Sequence, residues 1–344
     1  MAMRVLVTGA GGFIGYHLAQ SLMRNGLTVR GVDVKHPEFE PSTPWEFEPL
    51  DLRRFDHALI ATRGIDEVYH LGADMGGIGY ITAFHAEIAR NNAMMNMNML
   101  EASRLNGVKR FLFSSSACVY PKYLQESPDV TPLKEEHAYP ADPEEGYGWE
   151  KLFMEKLCGY YREDHGLETR IVRFHNVYGP MGTYEGGKEK APAAICRKIA
   201  VATDGEEIEI WGDGEQTRSF MYVDDCVEGI VRIMRCDYPY PLNLGTDELV
   251  TINELVDLIS EIAGKHVKKR HDLSKPQGVR GRNSDNTRLR QVLAWEPRVL
   301  LREGLIPTYL WIESALIKMG RIPRVRGVGR GINASTVSTV AADE

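Results

Sequence analysis

The sequence predicts an α/β fold: a doubly wound parallel sheet with a smaller C-terminal part. Three observations carry this reading. Apolar runs alternate with helical patterns through the first half; a glycine cluster separates the first run from the first helix; and an acidic residue closes the second run.

In order, Arg4–Thr8 reads as a buried strand. Phe13–Asn25 reads as a helix, with Ile14, Leu18 and Leu22 at four-residue spacing. Thr28–Asp33 is a second strand. Glu67–Leu71 is another and runs into the glycine-rich stretch Gly72–Gly79. Ala86–Asn106 is a long helix. Arg110–Ser115 is a strand that enters small hydroxyl residues, and Leu167–Phe174 is a further strand. Residues 176–216 hold a glycine- and lysine-rich loop, a helix near Ala191–Thr203 and a strand near Glu207–Trp211. Ser219–Val223 reads as a strand, Asp225–Arg235 as a helix, and Ile252–Ala263 and Leu301–Lys318 as helices. No internal repeat is evident.

Bulk properties narrow the function. A net charge of −7 speaks against a general nucleic-acid binder, which carries a basic surplus. No run approaches the ~18 apolar residues of a membrane span, so no membrane partner is expected. Met1-Ala2-Met3-Arg4 leads straight into a strand, so no signal peptide is expected. Cys118, Cys158, Cys196, Cys226 and Cys236 are scattered without a C-x-x-C pair. Neither a metal cage nor a disulfide framework is expected, and a reducing cytoplasm is the natural setting.

Gly9-Ala10-Gly11-Gly12-Phe13-Ile14-Gly15 spells G-x-x-G-x-x-G between a strand and a helix. Gly9, Gly12 and Gly15 let the backbone turn tightly and approach a pyrophosphate, while the N–H groups of Phe13 and Ile14 at the helix start attract the anion. Asp33 ends the next strand. Its carboxylate can bind both ribose hydroxyls and repels a 2′-phosphate, so NAD is the expected cofactor on a Rossmann-type unit. Asp51 is read as facing the adenine, with a surface turn acid as its rival. Residues 1–180 then form the NAD-binding domain, to which about 217–247 returns. Residues 181–216 and 248–320 form the substrate domain, and 321–344 reads as a disordered, solvated tail.

Tyr147-Gly148-Trp149-Glu150-Lys151 places a phenol and an ammonium one helical turn apart. The ammonium is expected to lower the phenol pKa from ~10. Tyr147 then takes a proton from a substrate hydroxyl, and Ser116 hydrogen-bonds the reacting oxygen. His70 and His175 read as packed core histidines.

These features resemble the extended short-chain dehydrogenase/reductase family. Arg173-Phe174-His175-Asn176-Val177-Tyr178-Gly179-Pro180 and Arg218-Ser219-Phe220-Met221-Tyr222-Val223-Asp224-Asp225 are similar to its nucleotide-sugar members. Sugar dehydratases of the family carry Asp-Glu where this chain has Ala117-Cys118, which disfavours dehydration. Five segments resemble the branch that epimerises GDP-sugars at two carbons: 73–79, 114–121, 186–194, 211–220 and 279–285. The resemblance implies a GDP-mannose substrate, transient oxidation at carbon 4 by bound NAD, inversion of carbons 3 and 5, and re-reduction. The products implied are GDP-L-galactose and GDP-L-gulose. Cys118 and Lys190 are then the acid/base pair, with the lysine favouring the thiolate. Arg218 and Arg282 are implied to contact phosphate and sugar. Gly76, Ser115, Ser116, Asn176, Glu189, Ala191, Lys198 and Gln216 are further expected substrate contacts. A homodimer is expected through a four-helix bundle of the helices near Ala86–Asn106 and Tyr147–Asp164. A simple 4-epimerase and a non-catalytic NAD-binding scaffold are the alternatives. Intact Ser116, Tyr147, Lys151 and Cys118 speak against the scaffold.

Overall fold

The structure is a computed structural model that describes residues 3–39 and 45–323. The tail expected to be disordered lies outside the described residues from 324 onward.

The first half runs β1 (Arg4–Thr8), α1 (Phe13–Arg24), β2 (Thr28–Asp33), β3 (Glu46–Pro49), α2 (Phe55–Thr62), β4 (Glu67–His70), α3 (Ile78–Ile81), α4 (His85–Leu105), β5 (Arg110–Ser116), α5 (Glu145–His165) and β6 (Glu168–Phe174). The second half runs β7 (Asn176–Tyr178), α6 (Ala191–Val201), β8 (Glu207–Trp211), β9 (Thr217–Tyr222), α7 (Val223–Arg235), β10 (Pro241–Leu244), β11 (Leu249–Thr251), α8 (Ile252–Ala263), β12 (Lys268–Asp272), β13 (Gly281–Arg282), α9 (Thr287–Leu293) and α10 (Leu301–Lys318).

Seven strands form one sheet in the order β10-β6-β5-β4-β1-β2-β3, every pairing parallel. Strand residues alternate faces. Val5, Val7, Tyr69, Leu112 and Val172 pack into one core with α1 and α7. Leu6, Val68, Phe111, Phe113 and Ile171 enter a second core with α2, α4 and α5. Both faces are covered, so β1 reads as an apolar run over Val5–Val7 rather than an alternating one, and β4 is buried at every position. The strand order reverses between β1 and β4, which opens a crevice at their C-terminal ends.

A smaller layer packs α6, α8 and α10 around Ile195, Ile199, Leu255, Ile259, Leu305 and Ile312. It carries the parallel pair β8–β12 and a small sheet of β7, β9, β11 and β13. Sequence periodicity does not reveal β10, β11, β12 or β13. They are two to five residues long, and β12 reads Lys-Lys-Arg-His-Asp; pairing with distant strands makes them. β10 begins with Pro241, which an edge strand tolerates.

Candidate active site

The crevice holds a cavity of about 620 Å³, walled by residues after β1, β2, β4, β5 and β6. Gly9, Gly12, Phe13, Ile14, Gly15, Asp33 and Asp51 all line it, as do Gly76, Ser115, Ser116, Tyr147 and Lys190. Gly9 has φ +70, and a Cβ there would meet Gly72 N at 2.9 Å. Gly12 caps α1 with no side chain across the helix N-terminus, so the helix dipole faces the cavity bare. Asp33 accepts backbone N–H groups from Gly11 at 3.1 Å and Val34 at 2.7 Å. Burial raises its pKa, and these donors oppose the rise. Asp51 lies on the same wall, but its carboxylate is paired with Arg53 at 2.7 Å, which holds it below the usual carboxylate range. An uncapped helix start and a carboxylate at the end of the second strand fit a dinucleotide with free ribose hydroxyls.

Tyr147 is buried near the start of α5, and Ser116 acts on its hydroxyl to lower the phenol pKa, against the effect of burial. Lys151 lies one turn on and is only 1% exposed. Its Nζ stands 5.5 Å from the Tyr147 ring centroid and 3.7 Å from Glu150 Oε1, with no partner at hydrogen-bond distance. The sequence expectation for this pair needs correction. Burial pushes the Tyr147 phenol up, not down, and the charges of Cys118 and Glu150 reinforce it. Burial also lowers the Lys151 pKa.

Behind Lys151 runs a buried hydrogen-bond chain. Thr8 Oγ1 accepts the N–H groups of Leu71 and Gly72. Its own hydroxyl is therefore left to donate to His70 Nδ1, 2.7 Å away. His70 Nε2 then donates to Asn96 Oδ1 at 2.8 Å, and Asn96 Nδ2 donates to Glu150 Oε2 at 3.0 Å. Burial lowers the His70 pKa to about 3; His175, beside Asn243, is lowered to about 3 in the same way. Unfolded histidine titrates near 6.5, so the unfolded chain binds two protons that the folded chain refuses. Stability from these two sites is therefore complete above pH ~6.5 and falls towards pH ~3, by about 1.4 kcal/mol per pH unit for each histidine. Urea titrations across that window should show this slope, and His70→Gln should remove one proton's share. An unchanged slope in the variant would refute the assignment.

Cys118 follows β5 in a short turn that packs on α5, and it clusters with Tyr147 and Ile88. Lys190 precedes α6 and acts electrostatically on Cys118. It does not make the thiolate favoured, as the sequence reading expects. Burial, with Glu144 adding to it, pushes the thiol up to about 11, and burial lowers Lys190. Arg282 is buried, pairs with Glu144 at 3.0 Å and reaches Cys118 Sγ at 3.8 Å.

Other expected contacts divide. The Ser115 hydroxyl is bonded to Glu155, itself paired with Arg173 at 2.7 Å. Asn176 donates to the Ser219 carbonyl, Lys198 to the Glu209 carbonyl, and Gln216 to the Trp211 carbonyl. Arg218 donates to the carbonyls of Thr217, Gln277 and Val279, and burial lowers its pKa to about 10. These four, with Glu189 and Ala191, are not on the wall of the 620 Å³ cavity. Glu189 accepts the Gly187 N–H, and Ala191 opens α6. Sequence reasoning missed Glu144, Glu150 and Lys188. Lys188 lines the cavity, lies 3.7 Å from Asp74 and sits 3.9 Å over the Tyr80 ring, which ties two loops together. A charged residue inside or just before Y-x-x-x-K was the available signal for the two glutamates.

Comparison with known proteins defines the class. The model of the NAD dependent epimerase/dehydratase family matches residues 5–245. GDP-mannose 3,5-epimerase 1 of Oryza sativa subsp. japonica is 48% identical over 318 residues, covering 92% of this chain and 83% of that protein. GDP-mannose 3,5-epimerase of Arabidopsis thaliana is 46% identical, covering 92% and 84%. Among solved structures, UDP-glucose 4-epimerase of Thermotoga maritima with UDP-glucose superimposes with a TM-score of 0.83 at 30% identity, covering 91% of this chain and all of that one. UDP-glucose 4-epimerase of Thermus thermophilus in complex with NAD gives 0.80 at 25%, covering 91% and 100%. The chain belongs to the NAD-dependent epimerase/dehydratase family. It is an epimerase, and its cofactor is NAD.

Proposed function

We propose that this chain epimerises GDP-mannose at carbons 3 and 5, giving GDP-L-galactose, with GDP-L-gulose from single inversion. One observation carries the reading: an amine, Lys190, shares the wall of the 620 Å³ cavity with Tyr147 and Ser116, and a thiol, Cys118, packs against Tyr147. A 4-epimerase has no use for that second acid/base pair. Identity of 46–48% to two proteins named for this reaction supports the substrate.

Bound NAD supplies a reversible two-electron acceptor for carbon 4. Gly9, Gly12 and the start of α1 would hold its pyrophosphate, and Asp33 its ribose hydroxyls. Tyr147 takes the carbon-4 hydroxyl proton as that carbon is oxidised, and Ser116 holds the same oxygen. Lys151, the cation nearest the phenol, supports its ionisation. The ketone at carbon 4 acidifies the hydrogens at carbons 3 and 5. Inversion then needs a proton removed from one face and another delivered to the opposite face, the work assigned to Cys118 and Lys190.

Incubation with GDP-mannose in deuterated water tests this. Deuterium should enter carbons 3 and 5 of the product and stay out of carbon 4. Label at neither carbon would overturn the reading, and an unlabelled carbon-4 epimer would identify a 4-epimerase.

We further propose that residues 1–180 with about 217–247 bind NAD and that residues 181–216 and 248–320 bind the sugar nucleotide. A cytoplasmic homodimer completes the proposal. It is supported by the exposed Met94 and Met97 of α4 and by Trp149, Phe153 and Tyr160 of α5, helices that pack together. Among the described residues no helix is long and apolar enough to cross a membrane. Light scattering reads the oligomeric state.

A further inference from the structure

Cys118 is framed by an ion pair as well as by Lys190. Glu144, the residue before α5, acts electrostatically on the thiol. Its Oε1 lies 3.0 Å from Arg282 NH2. Arg282 in turn places NH1 3.8 Å from Cys118 Sγ and donates from Nε to Gln125. Cys118, Glu144, Arg282 and Gln125 are 7%, 9%, 8% and 1% exposed, so the cluster is shut off from water. The backbone fixes it as well: the Glu144 N–H donates to the Cys118 carbonyl at 2.9 Å. Gly148 lets α5 press onto this turn, since a Cβ there would meet the Cys118 carbonyl oxygen at 2.3 Å.

The charges in this cluster act in opposite senses. A buried guanidinium beside a thiol favours the thiolate; a carboxylate beside it favours the thiol. We propose that Glu144 is a positioning residue that neutralises Arg282 at Cys118, so that Cys118 starts each catalytic round as a thiol and the proton donor, with Lys190 as the base. The direction of proton flow rests on the reading of these two as the acid/base pair; the state of the thiol does not. The other charged or polar groups acting on Cys118 are Ser116 at the end of β5, Tyr147 and Lys151 on α5, Lys190 before α6 and Arg218 on β9. Burial and Glu144 raise the thiol against Arg282, in agreement with the geometry.

The proton balance then closes within each inversion. At the first carbon the C–H proton passes to the Lys190 amine, and the C–H electron pair forms the enolate of the carbon-4 ketone. The Cys118 S–H proton is delivered to the opposite face of the same carbon. This leaves ammonium and thiolate. The hydrogens on carbons 3 and 5 of mannose lie on the same ring face, so the same group removes both. The Lys190 ammonium therefore returns a proton to the Cys118 thiolate, directly or through substrate-side water, before the second inversion repeats the same two transfers.

The test is titration of the thiolate by its ultraviolet absorbance, in the full chain as purified with its cofactor. A Cys118→Ser background is subtracted to remove the other cysteines. Glu144→Gln should lower the Cys118 midpoint by at least about one pH unit, roughly ten-fold more thiolate at a given pH below the midpoint. Glu144→Asp, which keeps the charge, should leave the midpoint near that of the parent protein. Glu144→Ala carries the same expectation as Gln should the amide variant fail to fold. An unmoved or raised midpoint in the uncharged variants overturns the proposal. So does a shift in Glu144→Asp as large as that in Glu144→Gln, which would make the effect one of packing. Failure of the epimerase reading is separate: it would appear as no deuterium exchange in the parent protein, whatever the thiol titration shows.

Discussion

Tyr147→Phe is expected to lower turnover of GDP-mannose about 10²–10⁴-fold, the range for removal of a positioned acid/base group. The phenol oxygen shares the cavity wall with Ser116 and is the atom assigned to take the carbon-4 hydroxyl proton. Phenylalanine fills the same buried volume, so α5 and the Cys118 turn keep their packing. Loss of one buried hydroxyl and its polar contact costs about 1 kcal/mol of stability, too little to unfold the chain. Cofactor released from the denatured variant should match the parent protein, because Tyr147 is not among the groups that grip the pyrophosphate. Product formation read by chromatography beside that cofactor content makes the check. Near-normal turnover would remove Tyr147 from the oxidation step.

Cys118→Ala is expected to collapse deuterium entry at carbons 3 and 5 by a similar factor, about 10²–10⁴. Alanine removes the only proton that the cysteine side chain can offer to the face opposite Lys190. The Arg282–Glu144 pair persists at 3.0 Å, so the pocket keeps its charge balance. Tyr147 and Ser116 are untouched, and oxidation at carbon 4 should continue. Loss of exchange with retained oxidation separates the proton step from the redox step. Exchange at the normal rate would show that another group does the work.

The long elements were legible because their periodicity is local. α8 and α10 begin and end where the sequence pattern places them, and α1, α4 and α5 differ by only a residue or two. The glycine turn, Asp33 and the Tyr147–Lys151 spacing were legible for the same reason. The environment of Cys118 was not. Arg282 is 164 positions away in sequence and reaches the thiol only because β13 pairs with β9. The protonation states were also illegible. Sequence alone leads one to expect that Lys151 lowers the Tyr147 pKa and that Lys190 favours the Cys118 thiolate. Both expectations follow from counting charges, and burial, which no local pattern reports, reverses both. Glu150 illustrates a third limit: its partners Asn96 and His70 come from α4 and β4, and only the folded sheet aligns them.

Gly148 carries a consequence for how such a site can diversify. Glu144, Tyr147 and Lys151 lie within two turns around it, on the stretch of α5 that touches the Cys118 carbonyl. One added residue in that stretch would rotate everything beyond it by about 100°. Oxidation and control of the cysteine therefore share a single helical register and cannot drift apart. Room for new chemistry lies at the turn bearing Cys118 and in the loop bearing Lys190, which can be rewritten while α5 stays fixed. In that sense the helix behaves as a chassis, with the two loops as interchangeable tools.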